Sequence, residues 1–479
     1  MGRTKNVRFF RGGAAAWTFL ALAVLIASGC MTTRNEAFLE IDEAARQGRY
    51  GDAADQLAGE GRSSFYSDKD KVVYYLDVGM LQHHAGNYNE SIRNLNEAER
   101  LMEEYFTRSI SQAAGSLLLN DSVMDYAGED YEDIYLNVFK ALGFLAIDDF
   151  DGAFVEIRRI NNKLNLLEDK YQGLAEQYNR SDDAAIAIAP GESRFYNSAL
   201  ARYLSLLMYR ADGDYDSARI DYQEMQEAFA RQQNIYDFPL PIDESVLERP
   251  DDAYLNVIAF AGRSPVKRAS TLYVITGDDQ VTIITDDENA SGQLIPESYT
   301  SFYFPGIEGG YRFKFQLPHM ELQGTEVTRI RVVVDGTPKG DLAMMEDMQQ
   351  VALDTFQVRY PIVFLKTVTR TIVKGVLAEK GKQQMEDAAA NSGSALGLAA
   401  GLLGSIATDI AVDASEQADL RLSRFFPAFA YTGEWDIAPG DHRIEIEYFG
   451  RSGLVFTDDL GTVSVDGRGL NLFTSFLNR

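Results

Sequence analysis

The chain is poor in the residues that usually build metal, redox and disulfide sites. It contains one cysteine and four histidines among 479 residues. One cysteine excludes an intramolecular disulfide framework. The histidines are His83, His84, His319 and His442. They show no metal-ligand spacing such as HExxH, and no P-loop, dinucleotide fingerprint or GxSxG elbow occurs, so the sequence predicts no metal site and no cofactor.

Positive charge is also scarce. The chain has 45 basic and 72 acidic residues, and its formal net charge is −27 at pH 7. Such a field disfavours nucleic acid and unspecific contact with anionic lipid, so we expect no nucleic-acid partner. The hydrophobic fraction of 46% and the aromatic fraction of 11% are too high for a disordered acidic tail. We expect a folded protein with roughly two or three domains.

The single cysteine stands directly after a short apolar stretch. Residues 1–29 begin with basic residues, and their apolar core from Ala14 to Ala27 falls short of the roughly 20 residues that cross a bilayer. These features are typical of a signal peptide. The ending Ala27-Ser28-Gly29-Cys30 resembles a bacterial lipobox, in which the cysteine is acylated and the preceding peptide is removed. An ordinary secretory signal with a chance cysteine is the alternative.

We therefore expect residues 1–29 to be a lipoprotein signal peptide and Cys30 to be the lipidation site. A diacylglyceryl group and an N-acyl chain, palmitate being a typical acyl group, would together hold the protein stably at a membrane. Met31 follows the cysteine, where an aspartate would indicate the inner membrane. The expected location is the outer membrane, with the lipid-anchored protein facing the periplasm.

Residues 30–240 are predicted to form a TPR-like helical domain, because apolar residues recur there at helical spacing. Four links share an aromatic residue followed three positions later by a small one, as in the turn of the tetratricopeptide (TPR) repeat. The links are Gly48-Arg49-Tyr50, Gly86-Asn87-Tyr88, Asp148-Asp149-Phe150 and Gly213-Asp214-Tyr215. They do not keep the TPR period of about 34 residues, so extra helices are expected over 117–131 and 162–183. A generic helix-hairpin bundle is the alternative.

Beyond Pro239 and Pro241 the period of apolar residues changes to two, which indicates strands. We predict a β-rich domain over 251–340, a helical insertion with a Gly/Ala-rich apolar segment over 341–420, and C-terminal β strands over 421–479. The insertion is expected to hold helices over Met345 to Tyr360 and Pro361 to Glu379. The predicted class is α+β, an N-terminal TPR-like α-helical array followed by a β-rich domain with a helical insertion. Whether the two strand groups share a sheet stays open.

Several motifs extend along most of the mature length. They are Tyr74-Tyr75-Leu76-Asp77-Val78-Gly79-Met80, Phe154-Val155-Glu156-Ile157-Arg158-Arg159-Ile160, Arg202-Tyr203-Leu204-Ser205, Thr369-Arg370-Thr371-Ile372-Val373-Lys374 and Ala418-Asp419-Leu420-Arg421. With them the chain resembles an uncharacterised family of TPR-containing bacterial outer-membrane lipoproteins. Relatives carry a tryptophan and a leucine-proline pair after the arginine of the last motif, and this chain carries Leu422-Ser423-Arg424-Phe425-Phe426-Pro427 instead. The resemblance implies fold and location only, since the family has no settled activity.

Two classes of function are compatible with these features. The first is a lipid-anchored periplasmic scaffold or adaptor that binds an envelope protein partner in cell-envelope assembly, secretion or peptidoglycan-synthase regulation. The second is a glycan-active, carboxylate-based envelope enzyme without a recognisable motif. For the scaffold, a partner groove is predicted on the first helices of the repeats, unless its apolar members are core residues. Its predicted residues are Leu76, Met80, His83, Tyr203, Leu207 and Arg210.

The insertion carries a basic stripe and a ridge of small residues, which we interpret as an association surface. The stripe is Lys366, Arg370 and Lys374, and the ridge includes Gly393, Gly397 and Gly401 within the uncharged run 393–408. Such a ridge lets a second helix approach closely, so a second copy or a membrane-embedded partner is expected there. The alternative is a helix packed within its own domain, with the basic residues solvated.

Two local pairs complete the expectations. His83 and His84 point to different helix faces and are predicted to be a solvated edge or groove pair. Glu156 and Arg159 are predicted to form an i,i+3 ion pair on one helix.

Overall fold

A computed structural model describes residues 38–59, 65–116, 120–180, 187–249, 252–285, 299–391, 417–467 and 469–479. Its class is α+β, as predicted from the sequence. The expected signal peptide, the lipidation site Cys30 and the run from Gly393 to Thr408 lie outside the described residues. Of 376–391 the structure describes the backbone only.

The first half of the chain consists of helices that pack in sequential pairs. Short 3₁₀ helices cover Asp68–Asp70, Asp121–Val123 and Glu244–Leu247. The helices are α1 (38–46), α2 (Tyr50–Ala58), α3 (Lys71–His84), α4 (Tyr88–Ser116), α5 (Asp130–Ala146), α6 (Phe150–Asn179), α7 (Ala199–Asp212) and α8 (Tyr215–Arg231).

The four predicted links each join two successive helices, and the second helix begins at the aromatic residue of the link. Each link contains one residue in the left-handed conformation, which suits glycine and, at the third link, aspartate. These residues are Gly48, Gly86, Asp148 and Gly213, with φ of 75°, 78°, 60° and 83°. The small residues three positions after the aromatics, Ala53, Ser91, Ala153 and Ala218, are completely buried. The link pattern therefore indicates close packing between paired helices.

The extra helices expected between the pairs do not form as predicted. Residues 162–179 continue α6, which extends over 30 residues from Phe150. The helix predicted over 117–131 is wrong in its described part, where a 3₁₀ helix is followed by non-helical residues up to Glu129. The Asn120 side chain accepts a hydrogen bond from Ser122 N (3.1 Å), a local alternative to helix propagation.

The described residues of the second half form three four-stranded sheets. The central sheet has the order β12-β1-β9-β8, the outer sheet β11-β10-β6-β7, and the third sheet β4-β3-β2-β5. The strands are β1 (Ala253–Ala261), β2 (Val266–Gly277), β3 (Gln280–Thr285), β4 (Tyr299–Tyr303), β5 (Arg312–Glu321), β6 (Arg329–Val334), β7 (Thr337–Asp341), β8 (Ala343–Asp347), β9 (Phe429–Ile437), β10 (Gly440–Gly450), β11 (Gly453–Val465) and β12 (Leu472–Leu477).

The two predicted strand groups share sheets. β1 pairs antiparallel with β9, opposing Leu255 to Trp435, and parallel with β12, opposing Asn256 to Leu472. β6 pairs antiparallel with β10. The residues of 421–479 therefore complete sheets that the earlier strands begin.

The central sheet lies between the helices and the outer sheet. Alternate β1 side chains such as Leu255 and Val257 pack in one core with Ile446 of the outer sheet. Ile258 and Phe260 belong to the core shared with the helices. Both faces of β1 are buried, which explains its nearly continuous apolar sequence.

The region predicted as a helical insertion begins with a strand and continues as one long helix, α9 (Met348–Asn391). The predicted helix start at Met345 is wrong, because Met345 lies in β8, and Pro361 stands inside α9 instead of beginning a new helix. A proline has no N–H to donate to the carbonyl four residues earlier, and its ring disturbs the adjacent helical hydrogen bond. The Val358 carbonyl in this turn accepts a hydrogen bond from Gly191 N (2.9 Å), so a neighbouring segment compensates locally.

Candidate functional site: an acidic groove

The six residues predicted to line a partner groove are buried, so that prediction is wrong. They belong to the faces that pack against other helices and the central sheet. Leu76, Met80 and Tyr203 are 0% exposed, Leu207 1%, His83 5% and Arg210 9%. Arg210 pairs with Glu434 of β9 (2.7 Å), and Leu207 belongs to the main core.

His83 is buried and His84 is partly buried, which corrects the expected solvated pair. The His83 ring lies 5.1 Å from the ring of Phe139, and burial lowers the pKa of His83 to about 3. The His84 ring stacks on Phe476 of β12 at 3.8 Å. Both residues therefore help to join the helices to one another and to the central sheet.

The basic stripe on α9 is not an exposed surface. Lys366 and Arg370 are 3% and 2% exposed, and Lys374 is half-buried. Lys366 Nζ lies 2.6 Å from Asp121 Oδ1. Burial disfavours the charged amine, but this carboxylate outweighs it and raises the pKa of Lys366. Lys366 of the stripe thus joins α9 to the 3₁₀ helix Asp121–Val123, and the ridge glycines 393, 397 and 401 lie outside the described residues.

Lys366 belongs to a buried ionic cluster between α5, α9 and the segment 417–424. Glu129 contacts Lys267 of β2 and Arg359 of α9, the latter at 3.1 Å. Asp419 accepts a hydrogen bond from Arg421 Nη2 at 2.8 Å. Arg421 of the motif 418–421 also donates to the carbonyls of Met124 and Asp121 (both 2.8 Å), which attaches this segment to the stretch before α5.

Two buried carboxylates hold the end of the same segment. Asp77 accepts hydrogen bonds from Tyr66 Oη, Ser423 Oγ and Arg424 N at 2.7–2.8 Å. Glu132 accepts from Tyr126 Oη, Glu129 N and Ser423 N at 2.6–2.8 Å. Each of the four carboxylate oxygens is thereby engaged by a donor of the protein. This geometry fixes the segment between α3 and α5.

The predicted pair of Glu156 and Arg159 forms, with Nη1 and Oε1 3.2 Å apart. It is one edge of a larger network, because Glu99 of α4 accepts from Arg159 and from Lys140 and Lys163 at 2.7–2.9 Å. Burial raises the pKa of Glu99, but the two lysines outweigh it and lower that pKa to about 2. The sequence could not indicate Glu99 as the shared partner, since it lies on another helix.

A groove lies between the helix links and the edges of two sheets. Its volume is about 930 Å³. One wall comes from the links at Ala146–Asp151 and Ala211–Asp212, and the other from β11, β12 and the described residues Asp466 and 469–471 between them. The local folding of the links places the first wall: Asp148 takes the left-handed conformation, and Asp149 Oδ1 accepts a hydrogen bond from Gly152 N (2.8 Å) at the start of α6.

The groove combines apolar walls with carboxylates. Its apolar side chains include Leu142, Leu145, Phe150, Phe154, Leu460, Val463, Leu472 and Phe473. Four carboxylates stand among them, at Asp148, Asp151, Asp212 and Asp466, and the described lining residues include no lysine or arginine. Apolar surface beside charges of one sign is complementary to apolar side chains flanked by lysine or arginine.

Sequence reasoning missed this groove because its walls are distant in the sequence. α5 and β12 meet only through the pairing of β12 with β1. The one signal available was the acidity of two links, at Asp148-Asp149 and Asp212-Gly213-Asp214. The same signal is typical of helix turns, so it does not by itself indicate a groove.

Comparison with known proteins adds no identification: no family model, curated protein or solved structure matches the chain. In the described part of the chain, no cluster of histidine, cysteine, aspartate and glutamate side chains is arranged to hold a metal ion. Among the helices described, none has the length and apolarity to cross a membrane. The fold and groove define an α+β protein with helix pairs packed on one face of a β-sandwich.

Proposed function

We propose that the protein is a lipid-anchored scaffold of the outer membrane that faces the periplasm and binds an envelope protein partner. The observation that carries this proposal is the groove, where partly exposed apolar side chains lie beside several carboxylates. Apolar surface gathered in a concave site provides the driving force for association, and the carboxylates select the charge of the partner. Cys30 supplies the anchor in this proposal.

The paired helices support the scaffold interpretation. We interpret them as a degenerate TPR-like array, with the long helix α9 as a helical insertion between β8 and β9. In this array the packed faces are structural, and the partner binds at the ends of the helix pairs. This differs from binding along a concave helical face, and it follows from the burial of Leu76, Met80 and Leu207.

The groove is tested by neutralising its first wall. The triple variant Asp148→Asn, Asp151→Asn, Asp212→Asn preserves side-chain size, and asparagine tolerates the left-handed backbone at position 148. Crosslinking in intact envelopes should recover a partner with the wild-type protein and at least about threefold less with this variant, since each lost charge contact contributes roughly 0.2–1 kcal/mol.

The matched control removes three exposed carboxylates outside the groove, with Asp169→Asn, Glu192→Gln and Glu308→Gln. It changes the net charge by the same amount, so it should retain the partner. Equal recovery with both triple variants would contradict the groove as the binding site.

A further inference from the structure

Strand β12 forms the edge of the central sheet at the wall of the groove. It pairs parallel with β1 over Leu472–Leu477, and within the described chain no strand lies on its other side. β11 is likewise the edge of the outer sheet, and it lines the same groove. The groove therefore separates two unpaired sheet edges, which are the places where an extended chain can add.

The ladder between β1 and β12 defines which backbone groups of β12 face outward. Asn256 N donates to Asn471 O (3.0 Å), and Gly262 N donates to Leu477 O (3.1 Å). In a parallel ladder the residues that bond to one neighbour alternate with those that face the other side. The N–H and C=O groups of Leu472 and Thr474 therefore point away from β1.

One contact supports this assignment. Phe476 belongs to the same alternate set, and its carbonyl accepts a hydrogen bond from Tyr50 Oη (3.0 Å) at the start of α2. Tyr50 thus covers the far end of the edge. The part of the β12 edge that lies beside the groove walls is at Leu472 and Thr474.

We propose that the groove binds an extended segment of the partner as an added strand on β12, an inference that rests on the proposed function. Side chains of a strand alternate between its two faces. One set would meet the helix wall at Leu142, Phe150 and Phe154, and the other would meet β11 at Leu460 and Val463. Both walls are apolar, so apolar residues suit the middle of the segment.

The charge of the groove completes the description of the partner segment. Lysine or arginine residues flanking or alternating with the apolar ones can reach the carboxylates of the groove. A second copy of this chain is the poorer occupant, because a net charge of −27 makes two copies repel each other. The recognised chemistry is therefore a short basic segment with strand-forming apolar residues, part of another protein.

The test uses a fluorescent peptide in which valine alternates with lysine, and the full protein chain. Thr474→Pro removes the outward N–H, and proline is tolerated on edge strands. Thr474→Val is the matched control, because it also lacks the hydroxyl but keeps the N–H. Fluorescence anisotropy should give about tenfold weaker binding for Thr474→Pro than for Thr474→Val, because only the proline variant lacks the outward N–H.

Hydrogen exchange provides the direct readout of strand addition. The peptide should slow exchange of the Leu472 and Thr474 amides in the wild type. A peptide with the same side chains but N-methylated alternate amides should not bind, and this arm holds even if Thr474→Pro fails to fold. Equal affinity for both Thr474 variants, or unchanged exchange at these amides, would overturn strand addition.

The outcomes also separate this inference from the proposed function. If the triple asparagine variant loses the peptide but Thr474→Pro binds it normally, the groove stands and strand addition is wrong. If neither variant changes binding, or the wild type does not bind, both proposals fail. If the wild type self-associates and Thr474→Pro prevents this, the occupant is a second copy and the partner segment is wrong.

Discussion

Two kinds of buried carboxylate occur in this protein, and they differ in what compensates their charge. Glu129 and Asp121 face lysine or arginine side chains. Asp77 and Glu132 instead receive hydrogen bonds from hydroxyl and backbone N–H groups. The sequence could not distinguish the two kinds, because each depends on residues from other elements, whereas the Glu156–Arg159 pair was predictable from spacing within one helix.

This difference predicts a pH dependence of stability. Burial raises the pKa of Asp77 to about 6 and that of Glu132 to about 7, from the ordinary 3.8 and 4.5. Between the unfolded and folded pKa values the folded protein binds more protons. The contribution of these two carboxyl groups to the free energy of unfolding is therefore fully present below about pH 4, and it is lost as the pH rises through 6 and 7.

Glu132→Gln removes one of these groups. Between about pH 5 and about pH 8 the wild type should lose roughly 1–3 kcal/mol of unfolding free energy that Glu132→Gln does not lose, because the variant has no carboxylate to ionise at this position. Urea denaturation at a series of pH values measures this. Glu103→Gln, an exposed position on α4, is the control. Parallel curves for Glu132→Gln and the wild type would contradict the assignment.

At the level of elements, the helix links and most strands were predictable, and the elements buried on all sides were not. The links at Tyr50, Tyr88, Phe150 and Tyr215 follow from local backbone chemistry, and the structure has helix starts at each. A period of two does not indicate β1, because a strand buried on both faces shows no alternation. The basic residues of α9 were expected at the surface, since the sequence does not show which acidic residues meet them.

The contact between Gly191 and α9 predicts a sensitive position. A Cβ at Gly191 would lie 2.4 Å from the Gln357 carbonyl oxygen, too close for any real contact with a rigid helix backbone. Gly191→Ala should therefore lower the unfolding free energy by about 1–3 kcal/mol.

Gly173→Ala is the matched control on α6. A Cβ there meets nothing within 4 Å, so this variant should be unchanged or more stable by about 0.5–1 kcal/mol from helix propensity. Thermal melts of both variants measure the difference. Equal midpoints would show that α9 shifts to accommodate the added methyl group.

For the whole molecule, the decisive feature is that late strands complete early sheets. β9 and β12 flank β1, so the central sheet forms only when segments far apart in the sequence meet. No periodicity records such pairing, which is why the class could be predicted and the groove between α5 and β12 could not. The same pairing joins helices and strands through one continuous core that includes Leu207 and Phe476.

This shared core predicts that helices and sheets unfold together. Trp435 on β9 is the one tryptophan outside the expected signal peptide, so the fluorescence of the mature chain reports on the central sheet, while far-ultraviolet circular dichroism reports mainly on helices. Both signals should change at one midpoint in urea.

Leu207→Ala, a buried truncation on α7, should lower the free energy of unfolding by about 2–5 kcal/mol and move both signals equally. Leu166→Ala, at an exposed position on α6, should leave both nearly unchanged. A tryptophan transition that stays in place while the helical signal shifts would show that the sheets fold independently of the helices.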